Sequence, residues 1–529
     1  MRNFHFPGRS PVIARNAMCA TSHPLASLAA IEMLKSGGNA VDAAITATAM
    51  LCVVEPAMTG IGGDCFALIA KPGMAAPIAL NASGRAPQAA TAEWYAKAGI
   101  TSIPMQSPHA VTVPGAIDGW ARLLEDHGTR SFADVLAPAI EQADRGYVVA
   151  PRIAADWAGL TDKLKASAGA AQHLLPGGRA PRAGEIVRVQ ALAETLKRIA
   201  DKGRAGFYEG PVAEDIVAEL KTLGGLHTMD DFARQACSYV DPISVSYKGV
   251  DVFELPPNNQ GVVALVLLKM LNRFGRLGDG PDTVERYHVM MEAVRLAYAM
   301  RDTFVADPEF ADVPIDHMLS DAFADELVSR IDRGRRKDDL GPIPVPGGTD
   351  TTYLTVVDKD GMAVSFINSI FSGFGSGIMT RKTGVLLQNR GQGFVLDPKH
   401  PNCIEPGKRP MHTLVPAMAM KDGKTWASFG VMGGNLQPAG HAYVLANLLD
   451  YGLDPQEALD SPRVFFEHGT CWAEQSVPES VYDGLVKLGH PMQRRPEPWG
   501  GGQIVRTDHA AGTLTGASDP RKDGCALGY

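Results

Sequence analysis

The chain changes character near residue 340, and that change limits its possible folds more than any other feature. Before it, alanine-rich amphipathic segments dominate. HPLASLAAIEMLKSGG reads as a helix closed by Gly37-Gly38, and Asn39 is placed to cap a second helix over AVDAAITATAMLCVVE that runs into Pro56. Both read apolar on most faces, as helices sandwiched inside a molecule do. GWARLLEDHG, SFADVLAPAIEQADRG, LAETLKRIADKG, AEDIVAELKTLGG and VERYHVMMEAVRLAYAMRDTF continue the helical pattern, interrupted by ISVSYKGVDVFELP, which alternates like a strand pair. The helices end in IDRGRRKDDLG, and the segment IPVPGGTD follows as an exposed, nonhelical loop. Then TTYLTVVDKDGMAVSFINS presents two alternating apolar runs around Lys359-Asp360-Gly361, a strong hairpin signal. TGVLLQN and LVPAMAMKDGKTWASFG extend the strand pattern, and the glycine pair of VMGGN leads into a helix over GHAYVLANLLDYG.

A chain of 529 residues is long enough for more than one hydrophobic core. Its net charge of -8 and pI near 6.0 argue against a nucleic-acid binder or a protein held to anionic lipid by charge, and 45% hydrophobic content argues against disorder. The seven cysteines are odd in number and show no CxxC, which disfavours a disulfide framework or a zinc cage. MRNFHFPGRSPVIARN has no apolar stretch of the secretory kind, and the longest apolar run, AAITATAMLCVV, falls short of a membrane span. A cytoplasmic protein with no membrane or nucleic-acid partner is expected. His23 and His109 lack metal spacing, and HExxH, GxSxG and a helix-opening GxGxxG are absent, so neither a metal nor a cofactor is expected. Asp64, set between glycines and an apolar run, reads as a structural acid.

The loop-to-hairpin junction at Asp350-Thr351 is where chemistry is expected. A threonine hydroxyl needs a base to become a nucleophile, and a threonine at a chain's N-terminus can use its own amino group, with a pKa of about 7.7 to 8.0. That requires cleavage before Thr351. Attack of the Thr351 hydroxyl on the Asp350 carbonyl, followed by ester hydrolysis, would leave chains of 350 and 179 residues, from 529 − 350. Counting outward from the turn, Thr351 falls opposite Ser369 if the loop has three residues and diagonal to it if the loop has two.

TTYLTVVDKDGMAVSF resembles the nucleophile strand of the gamma-glutamyltranspeptidase family of N-terminal nucleophile hydrolases. SGGNAVDAAI, TGIGGDCF, SPHAVTVPGAIDGW, ELPPNNQG, FGSGI, GKRPMHTLVPAM, GVMGGN and TGASDPR follow the family's order along the whole chain. The resemblance implies a four-layer αββα sandwich of the α+β class and autoprocessing of a proenzyme into a large subunit, 1–350, and a small subunit, 351–529. The two would form one interleaved fold and associate as a heterodimer, with the option of further dimerisation. It implies Thr351 as nucleophile, Ser369 as the supporting hydroxyl, and Gly433 and Gly434 as the oxyanion hole, where a backbone donor must approach the oxygen without a Cβ in the way.

The departures from the family pattern concern the substrate. The acidic position within LLQNRGQGF falls on Gly393, the asparagine after the supporting hydroxyl is Phe371, and the serine pair is His412-Thr413. The family's arginine has a displaced neighbour in Arg85, and the lid loop is shortened to HPNCIEPG. A glutamyl amino group would then be desolvated without its carboxylate, at a cost of a few kcal/mol. Arg85, Arg390 and His412, with Thr413 and with Phe371 narrowing the pocket, are expected to form a cationic set for a small anionic amide. This pattern resembles the branch containing oxamate amidohydrolase and cephalosporin-acylase-like members. A gamma-glutamyl transferase or glutathione hydrolase with an altered clamp, an acylase of a cephalosporin-type side chain, and an uncut binding protein are the competing expectations.

Overall fold

The computed structural model describes residues 8–338 and 351–529; Asp350 and the rest of the expected loop lie outside the described residues. Fourteen strands build the centre: β1 Val12–Ala14, β2 Met18–Thr21, β3 Asp64–Ala70, β4 Ile78–Ala82, β5 Ser238–Val240, β6 Ile243–Tyr247, β7 Val250–Glu254, β8 Thr352–Val357, β9 Ala363–Ser369, β10 Ala417–Lys421, β11 Lys424–Met432, β12 Gly501–Asp508, β13 Thr513–Ser518 and β14 Cys525–Gly528. They form two seven-stranded sheets, in the orders β14-β2-β8-β9-β3-β4-β5 and β1-β13-β12-β11-β10-β7-β6. In each sheet, strands from before and after residue 350 pair with one another: β8 lies between β2 and β9, and β10 pairs with β7.

Alternation along the strands divides the core into three apolar layers. Tyr353, Ile367, Phe66 and Leu68 point between the sheets and meet Met418, Met432 and Val505 of the second sheet. Their neighbours Leu354, Val356, Val364 and Phe366 point outward against helices α1 Pro24–Lys35 and α2 Ala40–Val54. On the other side, Ala427, Phe429 and Val431 pack under α3 Gly261–Phe274, α4 Val284–Phe304 and α5 Leu436–Leu449. The result is the expected αββα sandwich. Its strands read apolar on both faces because both faces are covered.

Local chemistry explains the ends of these elements. Asn39 accepts from the Val41 and Asp42 N–H groups while Asp42 accepts from Asn39, a reciprocal cap that starts α2, and every residue of α2 is buried. ISVSYKGVDVFELP forms the β6–β7 hairpin. The β8–β9 pairing runs from Thr352–Asn368 to Val357–Ala363, and the Asp358 N–H bonds to the Met362 carbonyl. The turn therefore has three residues, and Thr351 falls opposite Ser369.

One expected strand does not form. TGVLLQN makes only isolated bridges, Leu386 to Met379 and Leu387 to Gly62. The preceding stretch turns repeatedly, with left-handed backbone at Phe371, Phe374, Gly375 and Gly377, so the chain arrives at residues 385–390 without a sheet edge to extend.

Candidate active site

Thr351, Ser369 and Asp64 stand in one row across β8, β9 and β3. Ser369 and Asp64 are direct partners in the ladder, and the Thr351 Oγ1 hydroxyl donates to Ser369 Oγ at 3.2 Å. Residues directly opposite in an antiparallel pair share a face, and here that face looks toward the second sheet. Thr351 is only 1% exposed. Ser369 Oγ also accepts the Phe371 N–H at 2.8 Å, so the second hydroxyl holds the Thr351 side chain and the start of the next loop together.

Across the sandwich, Thr355 Oγ1 donates to Ser428 Oγ at 2.6 Å, and the Tyr353 ring lies over Gly430, where a Cβ would come within 2.5 Å of the ring. Thr351 shares the face of β8 that carries Tyr353 and Thr355, and Met432 is the last residue of β11. Gly433 and Gly434 come immediately after, with φ of 130° and 57°, and then α5 begins. The glycine pair thus sits at the positive end of a helix, where backbone donors favour a developing negative charge. Gln260 braces this corner by donating to the Thr413 carbonyl at 2.9 Å and the Gly434 carbonyl at 3.3 Å. Arg301 in turn donates to Gln260 Oε1 and Asn435 Oδ1, each at 2.9 Å.

Beyond Ser369 the row ends in a buried polar hub. Asp64 Oδ1 accepts from the Gly84 and Gly115 N–H groups and from Gln388 Nε2, at 2.9, 3.0 and 2.9 Å, while Oδ2 meets His412 Nε2 at 3.1 Å. Burial pushes the Asp64 carboxyl up to about 6, and Arg390 and these hydrogen bonds hold it from rising further. Burial, reinforced by Arg390, drives His412 well below the usual imidazole range, so the ring is neutral. Arg390 is fully buried; burial pulls it down to about 9, with Asp64 opposing, and it stays protonated at neutral pH.

Arg390 faces a cavity of about 140 Å³ whose walls include Phe371, Thr413 and Gly393. Its Nη1 donates to Thr413 Oγ1 at 2.6 Å, and its guanidinium lies 4.2 Å from the Phe371 ring centroid. Its Nε and Nη2 are buried with no hydrogen-bond partner. Phe371 holds this position with φ of 83°, a conformation that costs a non-glycine residue about 1–2 kcal/mol.

The expected cationic set is smaller than the sequence implied. Arg85 is held elsewhere, forked onto Glu309 at 3.0 and 2.9 Å and bonded to the Gly407 carbonyl. With His412 neutral, Arg390 is the cation left of the three. Sequence reasoning missed Gln388, Gln260, Arg301 and the linking position of Asp64. Only Asp64 carried a signal, as the first residue of a strand entered through Gly62-Gly63. Among the described residues no group of His, Cys, Asp or Glu could hold a metal ion, and no helix is long and apolar enough to cross a membrane.

The gamma-glutamyltranspeptidase family model matches residues 26–529. The chain belongs to the gamma-glutamyltranspeptidase family. Within this family it is 37% identical to the glutathione hydrolase-like YwrD proenzyme of Bacillus subtilis, over 98% of this chain and 99% of that one. It is 36% identical to the oxamate amidohydrolase proenzyme of Klebsiella pneumoniae, over the same shares. The crystal structure of cephalosporin acylase from Bacillus halodurans superposes with a TM-score of 0.93 at 39% identity, covering 100% of this chain and 99% of that chain.

Proposed function

We propose that the protein is a proenzyme that cleaves itself between Asp350 and Thr351 and then hydrolyses a small amide whose acyl group carries a carboxylate. One observation carries this reading: a buried Thr351–Ser369 hydroxyl pair is joined through the Phe371 N–H to the wall of a cavity that presents a buried arginine with two unpartnered nitrogens. Family membership and the proenzyme relatives support amide cleavage after processing.

In the processed enzyme the new Thr351 amino group accepts the proton of its own hydroxyl, and Oγ1 attacks the amide carbonyl. Gly433 and Gly434 receive the resulting oxyanion by their N–H groups, while Arg390 binds the acyl carboxylate and fixes its register. Collapse expels the amine with the transferred proton. Water, deprotonated by the same amino group, then hydrolyses the threonine ester and releases the acid. The pieces 1–350 and 351–529 stay together as a heterodimer.

Oxamate is the simplest substrate of this kind, and a glutathione hydrolase is the competing reading. Ammonia release from oxamate and glutamate release from glutathione, measured side by side on the processed protein, separate them. The proposal expects turnover of the small anionic amide to dominate; efficient turnover of glutathione with none of oxamate would overturn it.

A further inference from the structure

The loop that follows Ser369 is held by a residue far from it in the chain. Residues 371–377 take left-handed backbone at Phe371, Phe374, Gly375 and Gly377, with φ of 83°, 57°, 55° and 76°. Two of the four are phenylalanines, and strain of this kind persists only where the surroundings over-determine it. Neighbouring backbone supplies part of that support. The Phe374 N–H donates to the Ala57 carbonyl at 2.8 Å, the Ser376 N–H to the Leu387 carbonyl at 2.9 Å, and the Ser372 N–H to Asn389 Oδ1 at 3.2 Å. The Phe374 ring also lies 5.7 Å from that of Trp157, in the helix Pro151–Gly159.

A cation supplies the rest. Lys163, in the short helix Thr161–Lys165, donates from Nζ to the Gly373 carbonyl at 2.6 Å and to the Gly375 carbonyl at 2.5 Å. Among the described residues no other donor reaches either oxygen. Two carbonyls aimed at one point repel each other unless a donor sits between them, and an ammonium can bond both at once with its full charge. Lys163 also lines an open groove of about 620 Å³, so water is within its reach, yet its ammonium is folded onto the backbone.

The groups attached to this loop connect Lys163 to the cavity. The Phe371 ring lies 4.2 Å from the Arg390 guanidinium, and both residues line the cavity wall. Asn389, the neighbour of Arg390, is bonded twice to Ser372, accepting its N–H and donating to its Oγ at 2.5 Å. Release at Gly373 and Gly375 would therefore let Phe371 relax and loosen the segment that carries Arg390. Ser369 is held independently, by its ladder pairing with Asp64.

We infer that Lys163 is a positioning residue for substrate binding: its ammonium ties residues 371–377 into the conformation that presents Phe371 and Arg390 to an anionic amide. It acts through the backbone of the loop and is not part of the cavity wall. The inference rests on the proposed function for the role of that cavity. A lysine outside the cavity then sets affinity, while the hydroxyl pair and its chemistry stay nearly unchanged.

The test compares Lys163→Met, which keeps the apolar stem and removes the charge, with Lys163→Arg, which keeps the charge and can fork onto both carbonyls. With oxamate as substrate, Lys163→Met should raise KM about tenfold, the scale of one charge-assisted hydrogen bond, and leave kcat within about threefold. Lys163→Arg should recover most of the lost affinity. Hydrogen exchange of the purified proteins, read by mass spectrometry, needs no turnover. Peptides spanning 371–377 should exchange at least about tenfold faster in Lys163→Met, while those of β8 and β9 keep their rates. Unchanged loop exchange or unchanged KM in Lys163→Met overturns the inference, as does a loss confined to kcat or one that Lys163→Arg shares in full. Absence of oxamate turnover in the unaltered protein would count against the proposed function, and loop exchange alone would then decide whether Lys163 holds the loop.

Discussion

The two ends of the site are built from different materials. At the hydroxyl end, Thr351 and Ser369 owe their meeting to strand register, and the glycine corner owes its place to the strand-to-helix turn after Met432. At the cavity end, Asp64, His412 and the Gln388–Arg390 segment come from separate stretches of chain, and the contacts among Asp64, Gln388 and His412 are made by side chains over isolated backbone bridges. Backbone register leaves little room for variation, because a one-residue slip turns a side chain to the opposite face. A side-chain pocket can exchange residues while the sheets stay unchanged. Under the proposed function, the hydroxyl row could therefore be kept while the pocket beside it is rebuilt.

Three substitutions would break or sharpen that contrast, beginning with the largest effect. Thr351→Ala should abolish both self-cleavage and turnover, the latter by at least about 10⁴-fold. On a denaturing gel the unaltered chain should give bands near about 37 and 19 kDa, and the variant one band at its full 56.2 kDa. A variant that still cleaves would remove Thr351 from the chemistry altogether.

Arg390→Gln should leave cleavage intact and raise KM for an anionic amide by about 10- to 100-fold, the worth of a charge-assisted hydrogen bond of about 1.5–3 kcal/mol. kcat should change much less. Loss of cleavage in this variant would erase the distinction between the two ends.

Asp64→Asn probes the joint between them through pH. The folded carboxyl is raised to about 6 from an ordinary 3.8, so the folded chain binds a proton that the unfolded chain releases. That contribution is fully present below about 3.8 and is lost as pH rises through about 6. Asparagine has no such proton. The stability gap between wild type and variant, from denaturant melts, should therefore widen by on the order of 1–3 kcal/mol as pH falls from 7 to 4. A gap that shrinks on acidification would mean that Asp64 is stabilised as an anion.

The same contrast sets how much of the molecule was legible in the sequence. Period-two alternation and the Lys359-Asp360-Gly361 turn fixed the hairpin, and with it the Thr351–Ser369 pair, because both depend on neighbours along the chain. Asn39 announced the start of α2 for the same reason. TGVLLQN misled because an apolar run carries no information about whether a free sheet edge awaits it. Arg85 misled because its partner Glu309 is 224 residues away, a pairing that no local pattern encodes.

The weave of the two sheets has a consequence for the life of the molecule. A chain cut before Thr351 would yield two polypeptides, neither of which contains all the strands of either sheet. Once separated by heat or denaturant, they would have to find each other by diffusion, so recovery would depend on concentration as it does for an obligate dimer. Translation as one chain removes that search by supplying both parts in equal number and already tethered. Cleavage would then be an irreversible step in assembly: the enzyme folds once, as a unimolecular event, and its working lifetime is set by the rate of first unfolding.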